Sequence, residues 1–477
     1  METIQTDLCI IGAGSGGLSV AAGAAQMGAR TVLIESGEMG GDCLNSGCVP
    51  SKALIAAAAR AHAMRSGAAF GITPAEPQVD FAAVQDHVAR VIATIAPVDS
   101  QDRFEGLGVR VIRDHARFTA PDRVAAGAFQ ITARRFVIAT GSRPVIPQIP
   151  GLADLPFLTN ETLFALRECP SHLIVLGGGP IGMEMAQAHR RLGARVTVIE
   201  AGRALGRDDP ELVAPLLARL RAEGVEILED TPVTAFTGKD GLIRAVLKDG
   251  RGIEGSHLLV ATGRAPVLAG LGLEAAEVEH TARGVTVGRN LRSVSNRRVY
   301  AVGDAAGPGG GGLQFTHVAG YHAGLVIRQA LFGLPARATT RHIPRATYTD
   351  PGLASIGPTE AEARMIHGSA LEVLRVSFDE NDRAQTMLAT DGLLKLLVVK
   401  GRPVGVAILG PQAGELIGLW ALAIAGRMKL STLAGTVLPY PTLGEVSKRA
   451  AGAYFSPRLF ANPWVKRVVG LVQRWLP

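Results

Sequence analysis

Cys43 and Cys48 stand with four residues between them in the stretch GGDCLNSGCVPSKAL, Gly40 to Leu54. Thiols at that spacing can meet across one distorted helical turn and form a disulfide. Pro50 is placed like a first-turn proline, and SKALIAAAARAHAM continues as a helix. Cys48 therefore lies near a helix N-terminus, where partial positive charge favours the thiolate, the nucleophilic form. Lys52 follows one turn on; buried, it would need a carboxylate partner, for which Glu184 is the candidate. Three other readings compete: a structural disulfide, a metal site and two unrelated thiols. Four cysteines in 477 residues make no disulfide scaffold and fit a reducing cytosol, where a close pair is more often catalytic or metal-binding. Zinc needs further His or Cys ligands at spacings the chain does not offer, and no metal site is expected. A redox-active pair is the reading carried forward. Cys9, inside a strand, and Cys169, before one, are expected as core thiols.

The elements that must position this pair begin upstream. From Asp7 to Glu35 the chain reads strand, glycine turn, helix, strand, with Gly12, Gly14 and Gly17 in the turn and Glu35 closing the second strand. From Ser171 to Glu200 the pattern recurs, with Gly177, Gly179, Gly182 and a closing Glu200. The first glycine permits a tight turn, the second lets backbone approach a pyrophosphate, and the third lets helix and strand pack closely. The helix N-terminus offers unpaired N–H groups to phosphate, and the closing acid accepts hydrogen bonds from ribose hydroxyls. Glycine turns alone are common; here each lies between a strand and a helix, with a carboxylate ending the next strand. Two copies predict two dinucleotides, a flavin and a nicotinamide, in an electron-transfer enzyme. Lys52, held against the flavin, would stabilise negative charge on the reduced ring.

RFVIATGSRP (Arg135 to Pro144) and HLLVATGRAP (His257 to Pro266) both read strand, ATG, turn, and look like crossings between nucleotide domains. RRVYAVGDAAG (Arg297 to Gly307) is a strand ending in Gly303 and Asp304; the aspartate is either a cap or a hydrogen-bond partner of a cofactor's sugar-like chain. PGGGG at Pro308 to Gly312 reads as a flexible loop. From about Ile343 the texture turns to alternating strands and helices, an α+β module. Apolar residues make up 47% of the chain, net charge is +7 and aromatics are 5%, so no concentrated basic, aromatic-laced stripe marks a nucleic-acid surface.

These motifs resemble the pyridine-nucleotide flavoprotein disulfide oxidoreductases, which include dihydrolipoyl dehydrogenase, glutathione reductase and mercuric reductase. The resemblance runs from Thr6 to about Ala453, and IPRATYTDPGLASIGPTEAEA (Ile343 to Ala363) is similar to the start of the family's dimerisation domain. It implies an α/β fold with two Rossmann-like dinucleotide-binding domains, for FAD and NAD(P), plus a C-terminal α+β dimerisation domain. Expected bounds are 1–150 with 265–335 for FAD, 151–264 for NAD(P), 340–454 for dimerisation and 455–477 for a tail. The resemblance implies FAD on the first motif and a nicotinamide on the second. It implies that Cys48 is the flavin-side charge-transfer thiol, that Cys43 exchanges with substrate, and that Lys52 and Glu184 pair near the flavin. Cofactor contacts are further expected at Gly41, Thr140, Gly141, Gly263, Gly303 and Asp304. Electrons would pass from NAD(P)H through FAD to the Cys43–Cys48 disulfide, and on to an acceptor. Glu200 favours NADH, since a carboxylate repels a 2′-phosphate; Arg203 and Arg207 nearby leave NADPH open.

One departure bears on the acceptor. Where the family has a His-Pro pair followed by Glu, this chain reads LPYPTLGEVSKRA, with Pro441 and Glu445 in register and Tyr440 at the histidine position. Tyrosine, with a reference pKa near 10, is a poor general base at neutral pH, which weighs against efficient dihydrolipoamide or glutathione turnover. Tyr440 and QFTHVAGYHAG (Gln314 to Gly324) resemble mercuric reductases, but no cysteine follows Cys169 to form their C-terminal pair. His317 and His322 are expected either near the flavin or in packing and capping roles. A disulfide, a metal ion or a quinone stand as acceptors, and an electron-feeding partner of a membrane-associated complex is a further reading.

NPWVKRVVGLVQRWLP closes the chain from Asn462. On a helix, Trp464, Val465, Val468, Val469, Leu471, Val472, Trp475 and Leu476 share one stripe, and Lys466, Arg467, Gln473 and Arg474 lie opposite. That face would dock on the protein's own body, on a dimer mate, or in a membrane interface. The N-terminus carries no basic, cleavable leader, and no apolar run reaches bilayer length. A cytoplasmic homodimer is expected, peripheral to the inner membrane face if the tail binds lipid.

Overall fold

The computed structural model describes residues 1–476. The chain forms two compact units, Met1–Gly202 with Val225–Thr340, and Arg203–Gly224 with the chain from Arg341 onward.

In the first unit the strands Val109–Ile112, Thr31–Ile34, Glu2–Ile11, Phe129–Ile138 and Val299–Ala301 lie side by side, all parallel. Leu8 faces Thr31 on one side and Arg135 on the other, and Val299 faces Phe136. Thr31–Ile34 is buried at every position. Such uninterrupted apolar runs belong in the middle of a parallel sheet, covered on both faces. One face packs on the helices Ser15–Gln26 and Thr316–Ala330 through Leu18, Ala21, Val326 and Tyr300; the other buries Phe118, Phe136 and Val124. A second parallel sheet, in the order Val225–Leu228, Arg195–Ile199, His172–Leu176, His257–Val260, repeats the strand–helix–strand plan with Pro180–Arg191 as its first helix. Both glycine motifs therefore sit at the C-terminal ends of parallel strands, where such sheets bind ligands. Cys9 is a core thiol, fully buried. Cys169 is half-buried, near the Pro170 and Leu192 carbonyls.

One reading is corrected. The PGGGG run is not a flexible loop: Pro308–Gly310 forms a short 3₁₀ turn. Gly309 packs so close to the Val287 carbonyl that a Cβ there would overlap it.

The second unit carries a five-stranded antiparallel sheet in the order Pro344–Thr347, Gly352–Ile356, Arg402–Gly410, Leu393–Val399, Leu371–Ser377. The helix Ala413–Ala425 closes its core with Trp420, which packs near Phe378 and Ile417 and donates its indole N–H to Ser447 at 3.0 Å. The helix Pro210–Ala222 belongs to this unit. Its Asp209 cap holds the buried ammonium of Lys395 at 2.8 Å, with Glu360 at 3.0 Å and Glu211 at 2.5 Å. Arg375 braces Glu211 and Glu360 from outside, each at 2.7 Å. Removing one partner from such a buried cluster leaves an uncompensated charge, which costs about 3–5 kcal/mol. The chain ends in two helices, Ser456–Phe460 and Pro463–Trp475, the latter capped by Asn462 on the Trp464 N–H.

Candidate redox-active site

Each glycine motif builds a cradle. Gly12 has φ +104°, and a Cβ there would run into the Ala139 carbonyl; a Cβ on Gly17 would overlap the Gly12 carbonyl. Gly177, at φ +112°, meets Ala261 in the same way, and Gly182 meets Gly177. Around the middle glycine of the second motif, Gly179, the Cβ direction is open, where a phosphate would lie. Neither helix has a side-chain cap, so the first-turn N–H groups of Ser15–Gln26 and Pro180–Arg191 face the cradle.

The two closing acids are held alike. Glu35 accepts from the Ala13 N–H at 2.5 Å and the Gly37 N–H at 2.6 Å. Glu200 accepts from the Gly178 N–H at 2.7 Å and the Gly202 N–H at 2.9 Å. Each acid thus ties its glycine turn to the loop after its own strand. The remaining lone pairs suit ribose hydroxyls. Gly141 and Gly263, both at positive φ with open space at the Cβ position, follow Thr140 and Thr262 in the two ATG turns. Gly41 packs on Gly14 so closely that a Cβ would strike its Cα. Both cradles fit a dinucleotide.

Cys43 lies in the short helix Gly41–Asn45, and Cys48 is the first residue of the helix Cys48–Arg65. Both are free thiols, Cys43 half-buried and Cys48 exposed. The Cys43 thiol donates to Cys48, which holds the Cys48 thiolate down to about pKa 6. The Thr316 hydroxyl, 3.3 Å away, and the charge of Lys52 add to this, while Asp42 opposes it. The same hydrogen bond, with burial, pushes Cys43 well above an ordinary thiol. The pair therefore shares one proton, kept on Cys43. Lys52 Nζ meets the buried Glu184 Oε2 at 2.7 Å, which joins the redox helix to the helix of the second glycine motif.

A polar chain that sequence reasoning missed runs from the redox loop to Asp304. The Asp42 carboxylate takes Ser46 Oγ at 3.1 Å, Asn160 Nδ2 at 2.8 Å and the Arg264 guanidinium at 3.2 Å. Arg264 also donates to Asn160 Oδ1 at 3.1 Å and, through Nε, to Ser142 Oγ at 2.8 Å. Ser142 then donates to Asp304 Oδ2 at 2.5 Å. Burial raises the Asp304 pKa, and Ser142 and Arg264 pull it back. Gly303 donates its N–H to His322 Nδ1 at 3.2 Å. His322 is buried and kept neutral, its pKa pushed down to about 4 by burial; it braces the loop of Asp304. His317 stacks on Phe315 at 5.2 Å and is exposed. The one sequence signal for this chain is that Ser142 and Arg264 follow the two ATG turns.

Tyr440 is 71% exposed, and its hydroxyl donates to Asp382 Oδ2 at 2.6 Å. That bond and the Asp382 charge push its ionisation above the usual tyrosine value. Glu445 opens the helix Glu445–Ala453 and accepts from the Thr442 N–H at 3.3 Å. Among the described residues no group of three or more His, Cys, Asp and Glu side chains is arranged to hold a metal ion.

Two nucleotide cradles with a thiol pair beside the first, one thiol of which opens a helix, define a flavin-and-nicotinamide oxidoreductase. The chain belongs to the pyridine nucleotide-disulphide oxidoreductases: the family's main domain matches residues 6–323 and its dimerisation domain residues 343–451. It is 34% identical to mercuric reductase of Streptomyces lividans over 94% of this chain and 96% of that protein. Identity to dihydrolipoyl dehydrogenase of Geobacillus stearothermophilus is also 34%, with the same two coverages. Among solved structures, a Cu(II) complex of the HOCl-induced flavoprotein disulfide reductase RclA from Escherichia coli aligns with TM-score 0.83 and 26% identity. The alignment covers 94% of this chain and 99% of that one. LpdA of Mycobacterium tuberculosis aligns with TM-score 0.86 and 25% identity over the same shares. The chain is an FAD-dependent NAD(P)H oxidoreductase of the disulfide-reducing kind, and its dimerisation domain supports a homodimer.

FAD, when bound, supplies the two-electron chemistry between nicotinamide and sulfur. This chain's residues do the rest. Cys48 is kept ionised and Cys43 protonated. Lys52 sets a positive charge near the sulfurs and is itself held by Glu184.

Proposed function

We propose that the terminal acceptor is a thiophilic metal ion taken directly by the two thiols, with Cys43 meeting it and Cys48 on the flavin side. The observation that carries this reading is Tyr440. By the family resemblance that position belongs to the group that moves a proton in dithiol exchange. A tyrosine already bonded to Asp382, with its ionisation raised, accepts no proton at neutral pH. Cys43 therefore keeps its proton unless the acceptor displaces it. A metal ion does so on binding, because a coordinating thiol is deprotonated by the metal itself. Mercuric reductases among the relatives support the same direction. In this reading the ion is taken up by the Cys43–Cys48 pair itself.

In this reading Gly12, Gly14, Gly17, Glu35, Gly41, Thr140, Gly141, Gly303 and Asp304 hold FAD. Gly177, Gly179, Gly182, Glu200 and Gly263 hold the nicotinamide nucleotide. Glu200 favours NADH over NADPH. The cysteine content supports a cytoplasmic setting.

The test is anaerobic reduction by NADH, followed by a panel of Hg²⁺, Cu²⁺, lipoamide, glutathione disulfide and a quinone. The wild type is run beside Cys43→Ser. Metal-dependent NADH oxidation should exceed that with either disulfide by tenfold or more, and Cys43→Ser should abolish it. Equal turnover of lipoamide, or metal reduction that survives Cys43→Ser, refutes the proposal. Loss of disulfide turnover alone, with quinone turnover kept, would place the exit at the flavin.

A further inference from the structure

We propose that the helix Pro463–Trp475 is a docking surface for an anionic lipid bilayer, lying along the interface rather than crossing it. No residue of the helix is buried. Trp464 is 69% exposed and Trp475 80%, and Val469, Leu471, Val472 and Leu476 are exposed between and beside them. Trp464, Val469, Leu471, Val472 and Trp475 lie on the apolar stripe, with Val465 and Val468 half-buried among them; Leu476 follows just past the helix end. An apolar stripe left mostly open along a helix marks an interaction surface.

Charge identifies the occupant. Residues 455–477 contain Arg458, Lys466, Arg467 and Arg474 and no Asp or Glu. Arg458 is engaged with Glu372, whereas Lys466, Arg467 and Arg474 are exposed on the polar face. A basic polar face without acids, opposite a stripe with tryptophan near each end, suits anionic headgroups above and acyl chains below. A protein partner of mixed surface charge gains nothing from that uniformity. Thirteen residues rise only about 20 Å as a helix, short of the hydrocarbon core, and no helix among the described residues is long and apolar enough to cross a membrane. The helix also lies after the family's dimerisation domain, which ends at residue 451.

The test uses the full FAD-loaded chain with vesicles of phosphatidylcholine alone or mixed with phosphatidylglycerol. The protein should sediment with the anionic vesicles, release on adding salt, and show blue-shifted tryptophan emission. Trp420 is buried already, so the shift reports Trp464 and Trp475. Each of Lys466→Gln, Arg467→Gln and Arg474→Gln should weaken binding roughly fivefold, with bound FAD and NADH oxidation unchanged. A chain ending at Ala461 should not sediment. Sedimentation of that shortened chain equal to the full one overturns the proposal, as does failure of the full chain to bind anionic vesicles. Blue-shifted emission without vesicles, lost on dilution, also overturns it by showing a second copy on this face.

Discussion

Lys52 Nζ lies 2.7 Å from Glu184 Oε2, with Glu184 buried and Lys52 half-buried. The bond ties the helix that begins at Cys48 to the first turns of the helix behind the second glycine motif. One ion pair thus fixes the thiols relative to both nucleotide cradles. Glu184→Gln keeps the shape and removes the charge. It should destabilise the protein by about 1–3 kcal/mol, seen in thermal melting. Reduction by NADH should slow about tenfold, equivalent to 1.4 kcal/mol in the barrier, seen in anaerobic stopped flow.

The shared proton of the cysteine pair has a pH signature. Iodoacetamide reacts with thiolate only, so alkylation of Cys48 in the reduced protein should follow a midpoint of about 6. Cys43→Ala removes the main donor, and the midpoint should rise toward that of an ordinary thiol. Thr316→Val should move it the same way by less. A midpoint unmoved in Cys43→Ala contradicts the assignment of the proton.

Arg264 links the redox loop to the loop of Asp304. It binds Asp42, which opposes the Cys48 thiolate, and Ser142, which holds Asp304. Arg264→Met should raise the Cys48 alkylation midpoint, because Asp42 loses its counter-charge. It should also loosen FAD, measured as flavin released on dilution. Ser142→Ala should affect FAD retention alone.

Acid should weaken the second unit through Glu211. Its pKa is held down to about 2, first by the Arg375 hydrogen bond and then by Lys395. A folded value below the unfolded one near 4.3 gives stability that is present above the unfolded value and lost as pH falls toward the folded one. The urea midpoint of the wild type should therefore exceed that of Glu211→Gln at pH 7, and the gap should close between about pH 5 and 2.

On the proposed reading, Tyr440→His supplies a proton-transfer group where this chain has none. General acid–base groups contribute about 10²–10⁴-fold, and the variant should gain lipoamide-dependent NADH oxidation at the low end of that range. Initial rates with and without lipoamide check this.

The glycine motifs were legible because each demands residue types at fixed local spacing: a tight turn, a close helix and an acid at the strand end. The cysteine pair was legible for the same reason, and Pro50 marked its helix. The Asp42–Arg264–Ser142–Asp304 chain was not. Its members lie far apart in sequence, Arg264 122 positions from Ser142 and Ser142 162 positions from Asp304, and strand pairings made only on folding bring them together: Ser142–Pro144 runs antiparallel to Arg264–Pro266, and the strands that lead to Ser142 and to Asp304 run parallel. Thr316, 268 residues from Cys48, is hidden likewise. The glycine run at Pro308 to Gly312 misled because glycine serves close packing as well as freedom; beside Val287 it serves the former. Nothing in the pattern of Leu393–Val399 announces that Lys395 is buried on Asp209, 186 residues away.

The most direct measurement counts alkylated thiols at Cys43 and Cys48 by peptide mass, in the oxidised holoenzyme before and after one equivalent of NADH without oxygen. Neither cysteine should be labelled before reduction, both should be labelled after it, and adding the metal-ion acceptor should return them to the unlabelled state. Labelling that is the same with and without NADH would contradict the account, because the electrons would then reach the acceptor without passing through this pair.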